Sequence, residues 1–332
     1  MRKTIIPYGV QDYLPIECAH KNQIEQAILK LFGDSDYQRV ETPILEYMDV
    51  FSTGVGAFDQ ESMFKLSDNK GQLLVLRPDM TMPMARLAAT KLKDQEVLRL
   101  SYCGDIFHFF ESEDSANLKQ VTQLGVELMG VNGAKSDAEV VGLAINALKT
   151  AGLQNVQIEL GQVEFFKGLI EEAGLNEEEG EAIRHRVEQK DTLAIEMVLQ
   201  KNGISGVLKN KIMELPVLYG GREVLETARG YSDNPRCIKA IENLEAIIAE
   251  LDAMGLADCI SIDLGLVQSV HYYTGMVFKG ISDKLGYPIL TGGRYDDLVK
   301  QYGRDIPATG FAMGVKPLLI ALERQGNLGG EE

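Results

Sequence analysis

The chain has 332 residues, 45% of them hydrophobic and 25% charged, which fits a globular protein with a substantial core and excludes fibrous and disordered architectures. Its 49 Asp and Glu outnumber 33 Lys and Arg, and the net charge of −16 would repel nucleic-acid phosphates and anionic lipid where no basic cluster offsets it. Cys18, Cys103, Cys237 and Cys259 are scattered without CxxC spacing, so reduced thiols in a cytoplasmic setting are expected.

The opening MRKTIIPYGVQDYLP has two cations but only a short apolar patch before Pro7 and Asp12, which does not make a signal peptide. No later apolar run reaches the ~18 to 20 residues that span a bilayer, so no membrane segment is expected. His20, His108, His185 and His271 include no i, i+4 pair, so no metal is expected either.

In KNQIEQAILKLFG, Ile24, Ala27, Ile28 and Leu31 recur at helical spacing, and Gly33 is expected to supply a left-handed stop. MFKLSDNKGQLLVLRPD reads as a hairpin turning at Asp68 to Gly71, and VLRLSYCGDIFHFF and VTQLGVELMG read as further strands, with antiparallel pairing the simplest connection. Ser136 and Glu139 have capping-box spacing before a helical stripe that Gly152 is placed to end. VQIEL is a strand with Val156, Ile158 and Leu160 on one face. From about 165 to 255 the texture is that of charged amphipathic helices, expected to form a helical insertion. Strand signals return in ISIDLGLV, YYTGMVFKG and YPILTGGRYDDLV, and GFAMGVKPLLIALERQ is a strand running into a helix. This order predicts an α+β fold: one core domain over residues 1–325 containing the insertion, with 326–332 as a tail, rather than a doubly wound sheet.

Several segments, in order, resemble the catalytic core of a class II aminoacyl-tRNA synthetase, and in particular histidyl-tRNA synthetase. YGVQDYLP is similar to that family's Gly-x-x-Asp-x-x-Pro. Pro43 and Glu46 in ETPILEYMDVF stand at the first class signature, whose proline lies at the dimer interface. LRPDMTMPMAR is similar to the Leu-Arg-Pro-Glu-x-Thr segment and QLGVELMG to the Gln-Leu-Gly-x-Glu strand. HYYTG and GGRYDDLV resemble the two histidine-specific elements, and GFAMGVKPLL the third class signature. Each motif alone is weak; their shared order carries the resemblance. It implies a class II antiparallel sheet flanked by helices.

The departures bear on function. Adenylation needs positive charge at the α-phosphate of ATP, a task for arginines or metal ions. Where the family has arginines, His108, Gln268 and Pro317 stand here, and Phe110 replaces the glutamate of the second signature. Glutamine lacks the charge and proline has no donor. Lys316 is expected to be a solvated side chain. At the amino-acid end, the resemblance puts Asp79, Thr81, Gln123, Glu127, Tyr273 and Tyr295 in the histidine pocket. Their chemistry is apt: carboxylates for an ammonium or imidazole N–H, amide and hydroxyl for orientation, aromatic faces for the ring. An anticodon-binding domain of ~100 residues, which the synthetases carry, is not expected after ERQGNLGGEE.

A synthetase-like core with these losses resembles the family of regulatory subunits of ATP phosphoribosyltransferase, the first enzyme of histidine biosynthesis. That resemblance implies a non-enzymatic chain without cofactor. It implies a homodimer within a hetero-oligomer with a short catalytic subunit, which it activates, and histidine as the feedback effector. No tRNA partner is expected. The alternatives are a truncated histidyl-tRNA synthetase and a stand-alone histidine-binding regulatory module.

Overall fold

The computed structural model describes residues 4–107, 119–267 and 273–327. Helix α1 (Pro15–Asp34) opens with Pro15, whose missing N–H costs nothing in a first turn, and the Leu14 N–H donates to Glu17 Oε2 at 2.7 Å. It buries Ile24, Ile28 and Phe32, one residue per turn. The expected stop at Gly33 is displaced. The helix runs through Gly33, and Asp36 takes the left-handed φ of 66°, after Ser35 Oγ has donated back to the Leu31 carbonyl at 2.9 Å.

Strands β1 (Gln38–Arg39) and β2 (Leu45–Tyr47) and the short helix α2 (Asp49–Ser52) lead to the expected hairpin, β3 (Lys65–Ser67) and β4 (Leu73–Leu76). Asp68 Oδ1 there accepts the N–H groups of Lys70 and Gln72, both at 2.8 Å. Helix α3 (Thr81–Thr90) precedes the long antiparallel pair β5 (Leu98–Phe107) and β6 (Gln120–Met129).

Helix α4 (Ala134–Thr150) starts one turn earlier than the Ser136–Glu139 spacing predicts. Gly133 is its N-cap, Ser136 Oγ donates back to Gly133 O at 2.7 Å, and Glu139 is taken up by Arg99 and Tyr37. Gly152, at φ 95°, follows its end as expected.

After β7 (Gln157–Gln162) come α5 (Val163–Glu172), α6 (Glu177–Glu188), α7 (Thr192–Lys201), α8 (Gly206–Glu214), strand β8 (Tyr219–Gly220), α9 (Glu223–Arg229) and α10 (Pro235–Ala253). The chain then runs through β9 (Ile260–Asp263), β10 (Met276–Ile281), β11 (Leu290–Arg294), α11 (Asp296–Lys300), β12 (Ala308–Gly314) and α12 (Val315–Arg324).

Among the described residues nine strands form one sheet in the order β1-β5-β6-β12-β11-β10-β7-β9-β8, and β2-β4-β3 form a small second sheet. The large sheet is antiparallel through its centre, as expected. It departs from that pattern near both edges, where β1 joins β5 and β9 joins β7 in parallel. Because side chains alternate across a strand, the sheet has two unlike faces. On one, Leu124, Val126 and Leu128 meet Phe32 of α1 and the apolar stripe of α4. Phe311 sits at the middle of this core, edge-on to Phe32 at 5.9 Å and to Phe278 at 6.3 Å. On the other, Leu100, Tyr102 and Met129 are covered by Met84, Ala85 and Ala88 of α3 and by Leu298 of α11. Among the described residues no helix is long and apolar enough to cross a membrane.

A buried ion pair ties α4 to the sheet. Arg294 at the end of β11 reaches Asp137 at 2.8 Å and Ser136 Oγ at 2.9 Å, and these two charged side chains are only 6% and 1% exposed. Removing one partner strands the other charge in the core. Asp137→Ala is therefore expected to lower unfolding free energy by about 3 to 5 kcal/mol in chemical denaturation, whereas an exposed pair such as Lys300–Asp305 should cost no more than about 1.

Candidate functional site

Register builds the site. Glu127 of β6 stands opposite Leu100 of β5 on one side and Gly310 of β12 on the other, Gly310 opposite Gly293 of β11, and Gly293 opposite Val277 of β10. Paired residues point to the same face, so a carboxyl side chain lies beside two positions without side chains. Both need glycine for close approach. A Cβ on Gly310 would come within 1.8 Å of Glu127 Oε2, and one on Gly293 within 2.7 Å of the Tyr273 ring.

Over this floor the Tyr295 hydroxyl donates to Glu127 Oε2, and both residues are almost wholly buried. Glu127 Oε1 has no hydrogen-bond partner among the described residues. Burial pushes the Glu127 carboxyl up to about 8; the Tyr295 hydrogen bond pulls against this, the charge of Asp79 adds to it, and the Thr81 and Tyr102 hydroxyls lower it. Asp79 caps the start of α3, its Oδ1 accepting the Met82 N–H at 2.8 Å. Burial raises it to about 6, against the backbone N–H groups of Met82, Thr81 and Met80. Thr81, the first residue of α3, is buried next to them.

Of the six residues expected in the pocket, the structure gathers Asp79, Thr81, Glu127 and Tyr295 around one point, with Tyr273 walling them on the β10 side. Gln123 lies on the same face but four residues up β6, roughly 13 Å along the strand. Its Oε1 is buried without a partner among the described residues. Between Gln123 and Glu127 lies Gly125, and the Tyr102 hydroxyl sits over it. Tyr102 is a site residue that motif reading missed. It belongs to no signature, and the alternation of LRLSYCGD, which puts it on the face of Gly104, was the available signal. Burial, then the charges of Glu127 and Asp79, raise its hydroxyl well above the ordinary tyrosine value.

The neighbouring arginines are committed elsewhere. Arg77 donates to the carbonyls of Thr42 at 2.6 Å and Asp105 at 2.8 Å, Arg86 holds Glu46 at 2.5 Å, and Arg294 holds Asp137 behind the sheet. Pro317 is the third residue of α12, a first-turn position where its lost N–H breaks no helical bond. Lys316 is not simply solvated, as the sequence suggested: its Nζ lies 5.7 Å from the centre of the Tyr13 ring, a cation–π contact. His108 and Gln268 lie outside the described residues. Among the described residues no group of three or more His, Cys, Asp or Glu is placed to hold a metal ion. Two carboxyls and three hydroxyl-bearing rings, with the described arginines bound elsewhere, suit a positively charged nitrogen and disfavour a phosphate.

The sheet with its acidic pocket defines a class II aminoacyl-tRNA synthetase-like core. The family model for histidyl-tRNA synthetase matches residues 9–318. A solved protein from Bacillus halodurans, described as an ATP phosphoribosyltransferase regulatory subunit/histidyl-tRNA synthetase, superposes with a TM-score of 0.89 at 34% identity, covering 96% of this chain and 83% of that one. An ATP phosphoribosyltransferase regulatory subunit of Acetivibrio thermocellus is 49% identical over 97% of this chain and 77% of its own length. The protein of that name in Ruminiclostridium cellulolyticum is 43% identical over 98% and 78%. The chain belongs to the family of ATP phosphoribosyltransferase regulatory subunits.

The raised Glu127 carboxyl makes stability pH-dependent. Unfolded Glu127 ionises near its ordinary value of 4.5 and the folded group only near about 8, so over that window the native state holds the extra proton and stability falls as pH rises. Glu127→Gln removes the penalty. Between pH 5 and pH 8 the difference in unfolding free energy between variant and wild type should move by about 2 to 4 kcal/mol in the variant's favour. Urea titrations at the two pH values measure it; an unchanged difference would mean that Glu127 is ionised throughout.

Proposed function

We propose that this chain is a non-catalytic regulatory subunit that activates a short-form ATP phosphoribosyltransferase and transmits feedback inhibition by histidine. In this reading Asp79, Thr81, Gln123, Glu127, Tyr273 and Tyr295 hold the histidine. One observation carries it: two carboxyls, Glu127 and Asp79, share a buried pocket whose neighbouring arginines are all engaged elsewhere. Histidine brings an ammonium and an imidazole N–H to such a site, and either group repays the desolvation of a carboxylate. The triphosphate of ATP would bring negative charge beside these two carboxyls.

Chemistry then belongs to the partner, and this chain acts by differential affinity. A ligand that binds one state of an assembly better by about 1 to 3 kcal/mol changes the response about 5- to 150-fold. The complex works in the cytoplasm without cofactor or tRNA. The assay is the activity of a short-form ATP phosphoribosyltransferase with and without this chain, with histidine titrated in. Activity should rise on addition of the chain, and histidine should then suppress it. Glu127→Ala, checked for folding by thermal melt, should weaken histidine binding in calorimetry roughly ten- to a hundredfold. Unchanged affinity would remove the sensor role, and histidine-dependent pyrophosphate exchange would favour a truncated synthetase instead.

The same reading makes the chain a homodimer inside the hetero-oligomer. In support, Leu45 and Tyr47 of β2 and Leu66 of β3 share one face of the small sheet beside Pro43, and they are 48%, 54% and 43% exposed. Sedimentation should give a dimer that Leu45→Glu with Tyr47→Glu dissociates; a wild-type monomer at all concentrations would refute it.

A further inference from the structure

The wall of the pocket formed by Tyr273 is gripped from outside the sheet. Lys167 of α5 points its ammonium at the Tyr273 carbonyl at 3.4 Å, and Arg184 of α6 donates to the Val267 carbonyl at 3.1 Å. Val267 and Tyr273 are the described residues on either side of 268–272. Two helices thus reach these two residues, α5 at the Tyr273 carbonyl and α6 at the Val267 carbonyl.

Each cation is itself held in place. Glu164 receives Lys167 at 2.9 Å and Arg236 of α10 at 2.6 Å; burial pushes its carboxyl upward, but these two cations hold it below the usual range. Arg184 is braced by Glu181 at 2.8 Å and Glu188 at 3.2 Å along its own helix. A cleft of about 510 Å³ separates the two helices on the far side of Tyr273, lined by Val163, Phe166, Ile170 and Val267 as well as by Lys167 and Arg184. The packing there leaves space, so the two polar contacts fix the wall where side-chain packing does not fill it.

We propose that Lys167 is a positioning residue of the amino-acid pocket: through the carbonyl of Tyr273 it sets where the Tyr273 ring stands over the glycine floor. An ion pair between Lys167 and Glu164 three residues apart on one helix needs no such purpose. The contact across 106 residues of sequence does. The proposal rests on the reading of this pocket as a histidine site, and it is tested in two arms that separate the two claims.

The chain contains no tryptophan, so Tyr273→Trp introduces a single fluorescent reporter at the wall itself. Adding Lys167→Met to that background should make the reporter more accessible to acrylamide quenching in the absence of any ligand, whereas Lys167→Arg, which keeps a donor, should not. In the second arm, with Tyr273 native, Lys167→Met should weaken histidine binding roughly three- to tenfold, with partial rescue by Lys167→Arg. Unchanged quenching in Lys167→Met overturns the proposal. So does greater quenching with unaltered histidine affinity in a protein that binds histidine. Should the native chain bind no histidine, the functional reading falls, and the quenching arm still decides whether Lys167 positions Tyr273.

Discussion

Burying a carboxyl at the middle of a sheet is the constraint around which this molecule is arranged. Glu127 sits on a central strand, one position in an alternating run whose other face, Leu124, Val126 and Leu128, makes the main core. A register slip of one residue would put the carboxyl among those side chains and Val126 in the pocket. The Phe311 contacts on one side and the Arg294–Asp137 pair at the end of β11 oppose that slip. On the pocket face the demand is for space. Gly310 and Gly293 leave room for the carboxyl and the Tyr273 ring, and the Tyr295 hydroxyl satisfies one of the two carboxyl oxygens. The other oxygen has no hydrogen-bond partner among the described residues.

The electrostatic character of the pocket follows from that arrangement and agrees with the charge of the whole chain. Burial alone disfavours the ionised form of Glu127, and a second carboxyl nearby disfavours it further. A basic side chain would relieve both effects, yet Arg77, Arg86 and Arg294 are spent on carbonyls and on other carboxylates that hold the scaffold together. In a chain of net charge −16 the surrounding field adds to the selection for cationic groups and against phosphates.

Much of this was legible in the sequence, and the failures have identifiable physics. Alternation found the long strands, because apolar side chains recur at every second residue, Leu98, Leu100 and Tyr102 in β5 and Leu124, Val126 and Leu128 in β6. It could not find β1 or β8, two residues each, whose pairing is set by what they abut rather than by pattern. The parallel joins of β1 and β9 are long-range choices that no local run encodes. The Ser136 cap failed because Gly133, at φ 96°, ends the preceding turn three residues earlier and leaves the serine hydroxyl free to bond backward and to meet Arg294. Tyr102 escaped for a different reason. Motifs single out residues shared with a family's chemistry, while this ring is placed by register opposite Gly125, a relation between strands that is invisible until they are paired.

The two walls of the pocket are held by contacts of unequal strength, and that inequality bears on how occupancy could be felt elsewhere. Behind Tyr295, Arg294 and Asp137 are shielded from water, and breaking such a pair costs about 3 to 5 kcal/mol. Beside Tyr273, Lys167 and Glu164 are 42% and 26% exposed, and pairs open to solvent contribute about 0 to 1 kcal/mol. A ligand has only its own binding energy with which to displace anything. A shift of the Tyr295 wall would consume most of what a small ligand provides, whereas a shift of the Tyr273 wall lies well within it. The compliant wall is also the one in contact with α5, and through Glu164 and Arg236 with α10, so displacement there reaches helices far from the sheet's centre. Rigidity on one side and compliance on the other give movement caused by a bound ligand a single direction in which to travel.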